Sequence, residues 1–187
     1  ANTFSKGETI ATINAALDEL NQYADKTIYS FSEMTKNIGM FTSAGVGLKE
    51  SVSSIKGLSN VAAMSGASSA QAATAMYQLS QALSTGVVKL QDWNSIVNAG
   101  MGGEQFQESL KRTARTYGVE VDAMIEKAGS FRTSLAQNWL TSDIMIETLA
   151  QYTGDLSKEQ LLNAGYTEEQ TEEIMKLADT ANDAATK

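Results

Sequence analysis

The sequence predicts an all-α fold, in which a long N-terminal helix with a coiled-coil pattern leads into a compact domain of several helices. The composition supports this class, because helix formers such as Ala, Leu, Met, Gln and Glu are abundant and the 187 residues include no proline. Proline interrupts helices and marks loops, so its absence favours helical segments. In addition, apolar residues recur at steps of three and four, which is the spacing of one helix face.

An apolar heptad pattern runs without a slip from residue 10 to residue 41. Eight of its ten positions are large and apolar, and we call these eight the N-terminal seam: Ile10, Ile13, Leu17, Leu20, Phe31, Met34, Ile38 and Phe41. Ala24 and Thr27 occupy the two central positions. The pattern predicts one continuous helix about 50 Å long that associates with further copies of the chain as a dimer or trimer. A long helix packed along its own bundle is the alternative.

Local signals mark the ends of the predicted helices. A Ser or Thr followed three residues later by Glu or Gln forms a capping box that starts a helix, and the pairs are Ser5–Glu8, Ser68–Gln71, Ser157–Gln160 and Thr167–Gln170. Glycine after an apolar stretch ends a helix, and the glycines so placed are Gly45, Gly47, Gly86, Gly118 and Gly129. These signals predict several short helices after the long one.

The predicted short helices follow one another from residue 48 to residue 152. Apolar positions define the first by Leu48, Val52, Ile55 and Leu58, the third by Trp93, Ile96 and Val97, and the fourth by Phe106, Leu110, Ala114 and Tyr117. The second, residues 68–86, has mostly small side chains, and residues 119–128 form a short helix or turn. Phe131 is predicted to lie on a strand or a loop. Ile144, Ile146, Leu149 and Tyr152 define another helix.

The C-terminal part of the chain is strongly acidic. Residues 141–187 hold 3 basic and 10 acidic side chains, so this segment carries −7 of the net charge of −8. Its last helix has a narrow apolar stripe of Ile174, Leu177, Ala178 and Ala181, which predicts that it is weakly anchored and continues in a longer parent protein. We therefore divide the chain into a helical arm (1–44), a compact helical domain (45–153) and acidic C-terminal helices (154–187).

The composition excludes several function classes. No cysteine and no histidine occur, which removes disulfides, thiolate metal sites and the commonest general base. No apolar run approaches the roughly 18 residues that a membrane span needs. We therefore expect no membrane segment in this chain. Acidic residues also outnumber basic ones, so we expect no specific nucleic-acid binding.

Three glycines, Gly100, Gly102 and Gly103, lie between two predicted helices, and Trp93 lies on the first of these helices. A phosphate-binding loop would follow a strand and end in Gly-Lys-[Ser/Thr], so that a lysine and backbone N–H groups meet the anion. This segment follows a helix, lacks the lysine and continues with Glu104. We predict a structural corner made of Trp93 and the three glycines.

Other candidate sites are equally incomplete. Ser53 and Lys56 match a Ser-x-x-Lys nucleophile without its partner motifs, and the Glu50-Ser51 and Glu108-Ser109 pairs match part of a lytic transglycosylase signature. An acidic helix face and a small basic patch lack the geometry of ion sites; they consist of Glu168, Glu169, Glu172 and Glu173, and of Lys111, Arg112 and Arg115. We predict no catalytic residue, no cofactor and no metal site.

Residues 71–114, from QAATAMYQLSQALSTG to FQESLKRTA, closely resemble the tape-measure domain of bacteriophage tail tape measure proteins. The resemblance continues through GSFRTSLAQNWLTSDIMIETLAQY (129–152) and GYTEEQTEEIMKLADTA (165–181). Its most specific stretches are Tyr77–Gly86, LQDWN at 90–94, the glycines at 100–103, and Gly129-Ser130-Phe131 through Trp139-Leu140-Thr141. Together these segments lie within residues 71–181, a range of about three-fifths of the chain.

The resemblance implies a structural fragment of a phage or prophage tape measure protein and no enzyme. Such proteins are long helical rods in the lumen of the tail tube, made in the host cytoplasm, whose length sets tail length and around which tube subunits polymerise. The implied partners are further copies of the chain and the tail tube and tail assembly proteins. Two alternatives stay open: a peptidoglycan-acting module used at infection, and a helical protein-binding domain unrelated to tails.

Overall fold

A computed structural model of the chain describes residues 9–187. Within this range the structure consists of eleven α-helices, a short 3-10 helix at Leu135–Gln137 and two isolated β-bridges, joined by turns and loops. The eleven helices are α1 (Ile10–Lys26), α2 (Phe31–Ser43), α3 (Leu48–Met64), α4 (Ser69–Thr85), α5 (Leu90–Asn98), α6 (Glu104–Thr116), α7 (Val121–Ala128), α8 (Phe131–Ser134), α9 (Ser142–Gln151), α10 (Lys158–Asn163) and α11 (Glu168–Ala185). The all-α prediction is confirmed, and the chain forms a multi-helix domain.

Helix α3 lies at the centre of the domain and is covered on several sides. It packs against α1, α2, α4, α9 and α11. Its apolar stripe is buried as the spacing predicts, but Ser54, Ser59 and Asn60 on other faces are buried as well. A helix surrounded in this way has no solvent-exposed face along its middle, so its polar side chains are packed inside the domain, and Asn60 forms buried hydrogen bonds there.

The prediction of one continuous helix over residues 10–41 is wrong. Helix α1 ends at Lys26, and α2 begins at Phe31 after a bent connection of residues 27–30, which we call the elbow. Ser30 caps α2 by accepting a hydrogen bond from the Glu33 N–H. Folding back at the elbow lets both helices bury apolar side chains in one core, and this burial outweighs the few backbone bonds that a continuous helix would add.

The C-terminus of the chain closes the elbow from outside. Thr27 forms an antiparallel bridge with Thr186. The Ile28 N–H donates to the Ala185 carbonyl at 3.2 Å, and the Lys187 N–H donates to the Lys26 carbonyl at 2.9 Å. The first and last described helices are therefore joined by backbone hydrogen bonds.

Most of the predicted helix ends are confirmed. Complete capping boxes start α4, α10 and α11 at Ser68–Gln71, Ser157–Gln160 and Thr167–Gln170. Gly86 closes α4 with a φ of 90°. The predicted box of Ser5 and Glu8 lies outside the described residues, and Thr9 caps α1. Phe131, which we expected on a strand or a loop, begins the short helix α8.

Helix α11 is firmly attached, contrary to the expectation of weak anchoring. It lies against α3, and Ile174, Ala178, Ala181 and Ala185 are buried. Small alanine side chains let the two backbones approach, so a narrow stripe suffices. Asn182 on α11 adds polar contacts by donating to the Thr153 carbonyl at 2.9 Å and accepting from Asn60 at 2.9 Å. The division of the chain into three parts stays a prediction, although α1 and α11 both contribute to the main core.

Candidate functional site

The glycine corner connects α5 to α6. It begins with two backbone hydrogen bonds that close the end of α5 and with one residue in the left-handed conformation. Gly100 has a φ of 83°. Its N–H donates to the Val97 carbonyl at 2.8 Å, and the Met101 N–H donates to the Ile96 carbonyl at 3.0 Å. This pair of bonds defines a Schellman motif, in which the apolar residue after the glycine packs back on the helix. Met101 and Ile96 are accordingly buried.

The remaining two glycines of the corner have different surroundings. A Cβ added to Gly102 would overlap the Cγ2 of Val97, so the chain passes too close to α5 for a side chain. A Cβ at Gly103 would meet nothing within 4 Å. Gly103 is the N-cap of α6, and Glu104 in the first turn complements the positive end of the helix. The backbone geometry at this point therefore serves a tight turn between two helices.

Five aromatic rings connect the corner to the rest of the domain. Trp93, 1% exposed, lies at their centre. Its ring stacks on Phe106 with centroids 6.1 Å apart and contacts Phe131 at 4.9 Å. Phe131 meets Trp139 edge-on at 5.5 Å, and Phe106 meets Tyr152 at 5.8 Å. Such offset and edge-to-face pairs stabilise a core beyond their buried area, and here they fix α5, α6, α8 and α9 to one another.

Tyr152 extends the aromatic cluster to the central helix. Its phenol shares a 2.7 Å hydrogen bond with Ser109 on α6. Its carbonyl accepts a 2.8 Å bond from the Asn60 side chain on α3. Burial raises the pKa of the Tyr152 phenol, and the hydrogen bond with Ser109 partly opposes that shift.

Asn60 is the centre of a buried polar network that links four parts of the chain. It accepts a hydrogen bond from the Tyr23 phenol on α1 and donates to the Tyr152 carbonyl and to Asn182 on α11. Burial is the main cause that raises the pKa of Tyr23. Because a buried amide must have its donors and acceptor satisfied, Asn60 specifies where α1 and α11 lie relative to α3.

Lys56, one turn before Asn60 on α3, is only 8% exposed. Its ammonium contacts Asp155 at 2.8 Å and Glu19 at 3.5 Å, and it lies 5.9 Å from the centroid of the Tyr23 ring. The two carboxylates come from α1 and from the segment between α9 and α10. A buried charge needs such partners, so Lys56 links both elements to the central helix.

The charged side chains of the candidate catalytic motifs are either paired with opposite charges or exposed on helices. Lys56 of the Ser53-x-x-Lys56 pair is bound to the two carboxylates just described. Glu50 is exposed, and Glu108 is exposed and paired with Lys111 on the same helix. In the basic patch, Arg112 contacts Glu173 at 3.7 Å and Arg115 contacts Asp122 at 2.7 Å. The Arg115 guanidinium lowers the pKa of the Asp122 carboxyl.

The residues of the N-terminal seam divide into two groups. Leu20, Met34, Ile38 and Phe41 are buried in the core of their own chain, whereas Ile10 is 78% exposed. Ile13, Leu17 and Phe31 are half-buried. Association through the whole seam stays a prediction, and half of the seam is already covered by the chain itself.

Sequence reasoning missed Asn60 and Asp155 and assigned Lys56 only to a discarded motif. All three are polar types that usually lie on the surface, and nothing near Lys56 and Asn60 along the chain marks these two as buried. Gly57 did carry a signal, because a glycine inside a helical stripe often marks a close backbone approach.

Two other kinds of site are absent from residues 9–187. The acidic side chains in this range form no group of three or more that could hold a metal ion. None of the helices described has the length and apolar character needed to cross a membrane.

The buried tyrosines predict a loss of stability at alkaline pH. Burial raises the pKa of Tyr23, Tyr29, Tyr152 and Tyr166 in the folded chain. An unfolded tyrosine titrates near pH 10, so above that pH the unfolded chain binds fewer protons and the free energy of unfolding falls as pH rises. We expect circular dichroism to show constant stability from pH 7 to about 9 and a steady decrease above about 10.

A single variant isolates one of these phenols. The Tyr29 hydroxyl is buried without a hydrogen-bond partner among the described residues. Tyr29→Phe should therefore leave the free energy of unfolding at pH 7 within about 1 kcal/mol of wild type and reduce the alkaline decrease. An unchanged pH profile in this variant would contradict the raised pKa.

Comparison with known families gives one match, and it covers almost the whole chain. The model of the family described as "Tape measure protein" matches residues 5–187. Searches of curated proteins and of solved structures gave no match. The matched range contains the corner, the aromatic cluster and the Asn60 network. The chain therefore belongs to the tape measure protein family, whose members are structural proteins of bacteriophage tails.

Proposed function

We propose that this domain is a folded part of a ruler in the lumen of the phage tail tube, where it helps to set tail length and to template tube assembly. The observation that carries the proposal is the family match over residues 5–187. The all-helical fold is in keeping with this role, because a helix rises 1.5 Å per residue and converts chain length into distance.

Within such a ruler the domain would be a compact unit on an otherwise extended protein. Its buried polar and aromatic side chains support this role. Lys56 and Asn60 link α3 to α1 and to α11 and the segment after α9. Trp93 holds α5 against α6 and α8. These links keep the helices in fixed positions, so the domain would present a constant surface to its partners, which we propose to be tail tube and tail assembly proteins.

Protease protection tests the luminal location. We would treat purified intact tails and disrupted tails with trypsin and quantify peptides of this chain by mass spectrometry. Exposed lysines such as Lys49 and Lys89 supply cleavage sites in the free domain. We expect protection in intact tails and cleavage after disruption, with an outer tail protein as the control for protease access. Equal cleavage in both samples, or no peptide of this chain in tails, would contradict the proposal.

A further inference from the structure

The elbow contains no residue that prevents a continuous helix. Its sequence is Thr27-Ile28-Tyr29-Ser30, without glycine or proline. Leu20 and Met34, on opposite sides of the elbow, are two heptads apart, so a straight helix would present both on one face. Two separate helices that meet at an elbow can each bury an apolar face without sharing one heptad register. A single helix that buries both of its halves requires that shared register.

Helix α1 is attached to the domain mainly by its C-terminal half. Its buried residues are Leu20, Tyr23 and Ala24. Beneath its N-terminal half lies a groove of about 400 Å³, whose lining includes Thr12, Ala16, Val52, Ala150 and Leu156. The polar links from α1 to α3 are side-chain contacts, Glu19 with Lys56 and Tyr23 with Asn60. An identical α1 from a second chain would make every one of these contacts.

We propose that the elbow straightens into one helix over residues 10–43, and that α1 of each chain then occupies the α1 site of a second copy. In the resulting domain-swapped dimer Leu20 packs on the partner domain while Met34, Ile38 and Phe41 stay in their own core. Swapping preserves the contacts of the closed monomer and changes only the elbow. It also gives the unbroken heptad pattern a function, because one helix face spans two domains.

The cost of straightening is confined to the elbow. The Ser30 cap, the Thr27–Thr186 bridge, the Ile28–Ala185 hydrogen bond and the burial of Thr27 and Tyr29 are lost, and helical backbone hydrogen bonds over residues 27–30 replace them. This inference concerns self-association alone and does not depend on the ruler role. Failure of one proposal therefore leaves the other standing.

Two substitutions at one position test the proposal. Ser30→Ala and Ser30→Pro both remove the side-chain cap, but only proline blocks a continuous helix. The φ of Ser30, −87°, is close to the values that proline adopts, so the elbow accommodates it. We would refold the 187-residue chain at several concentrations and measure mass by light scattering after size exclusion. We expect a dimer in wild type, more dimer in Ser30→Ala, and a dimerisation constant about ten-thousandfold lower in Ser30→Pro than in Ser30→Ala, because each dimer contains two prolines.

Cross-linking decides whether the dimer is swapped. Equal amounts of ¹⁴N and ¹⁵N chains are refolded together, the dimer is isolated, and a zero-length carbodiimide joins Glu19 to Lys56. A swapped dimer gives this link with mixed labels in about half of the molecules, as random pairing requires. Links of uniform label only would overturn the proposal. Monomers alone in wild type and Ser30→Ala, or equal dimer fractions in the alanine and proline variants, would overturn it too. Circular dichroism checks that each variant is folded.

Discussion

Gly57→Ala should destabilise the domain by about 3 kcal/mol or more, the upper part of the range for overpacked cores. An added Cβ would overlap the carbonyl oxygen of Leu149 and lie 2.7 Å from its carbonyl carbon. The obstacle is the backbone of α9, which cannot rotate away as a side chain does, so α3 and α9 must separate. The higher helix propensity of alanine offsets only about 1 kcal/mol of this cost. Urea unfolding followed by circular dichroism measures the change.

Gly103→Ala is the matched control for this prediction. It makes the same chemical change at a position with a φ of −67°, where a Cβ meets nothing within 4 Å. We expect its free energy of unfolding to stay within about 1 kcal/mol of wild type. If Gly57→Ala were no more destabilising than this control, the two central helices could not be as close as described.

Trp93→Ala should cost about 3–5 kcal/mol, as expected for truncation of a buried tryptophan. The substitution removes the ring that stacks on Phe106 and contacts Phe131, and it opens a cavity between α5, α6 and α8. The surrounding rings are held from behind by Tyr152 and Trp139, so they cannot easily collapse into the space. The measurement is the midpoint and slope of urea unfolding at constant pH.

Two variants serve as comparisons for Trp93→Ala. Leu90→Ala truncates a 38% exposed side chain on the same helix and should cost about 1 kcal/mol or less. Trp93→Phe keeps an aromatic ring in the site and should lie between the two. A loss no larger in Trp93→Ala than in Leu90→Ala would mean that the aromatic cluster does not hold the corner in place.

Helix ends could be predicted from the sequence because their causes are local. A Ser or Thr at the N-cap binds a backbone N–H three residues on, and Gly86 adopts a left-handed φ that other residues disfavour. Both effects act within a few residues of the chain. The turn at Gly100 was predictable for the same reason. The lack of a following Gly-Lys-[Ser/Thr] also showed that this turn is not a phosphate-binding loop.

The elbow and the polar network could not be predicted, because their causes lie far apart in the sequence. The heptad pattern over residues 10–41 is satisfied by a straight helix and equally by two helices folded on one core. The choice at Thr27 depends on Thr186 and on the core around α3. Similarly, Asn60 is buried where Tyr23, Tyr152 and Asn182 approach it from distant parts of the sequence.

The most direct test of the ruler proposal changes chain length outside the folded domain. In the gene that encodes this chain, we would insert in frame about 100 residues of helical sequence after residue 187 and measure tails by electron microscopy. A helical ruler predicts uniformly longer tails, by up to about 150 Å at 1.5 Å per residue. Tails of unchanged length would contradict the account, because a protein that does not transmit its own length to the tube is not the ruler.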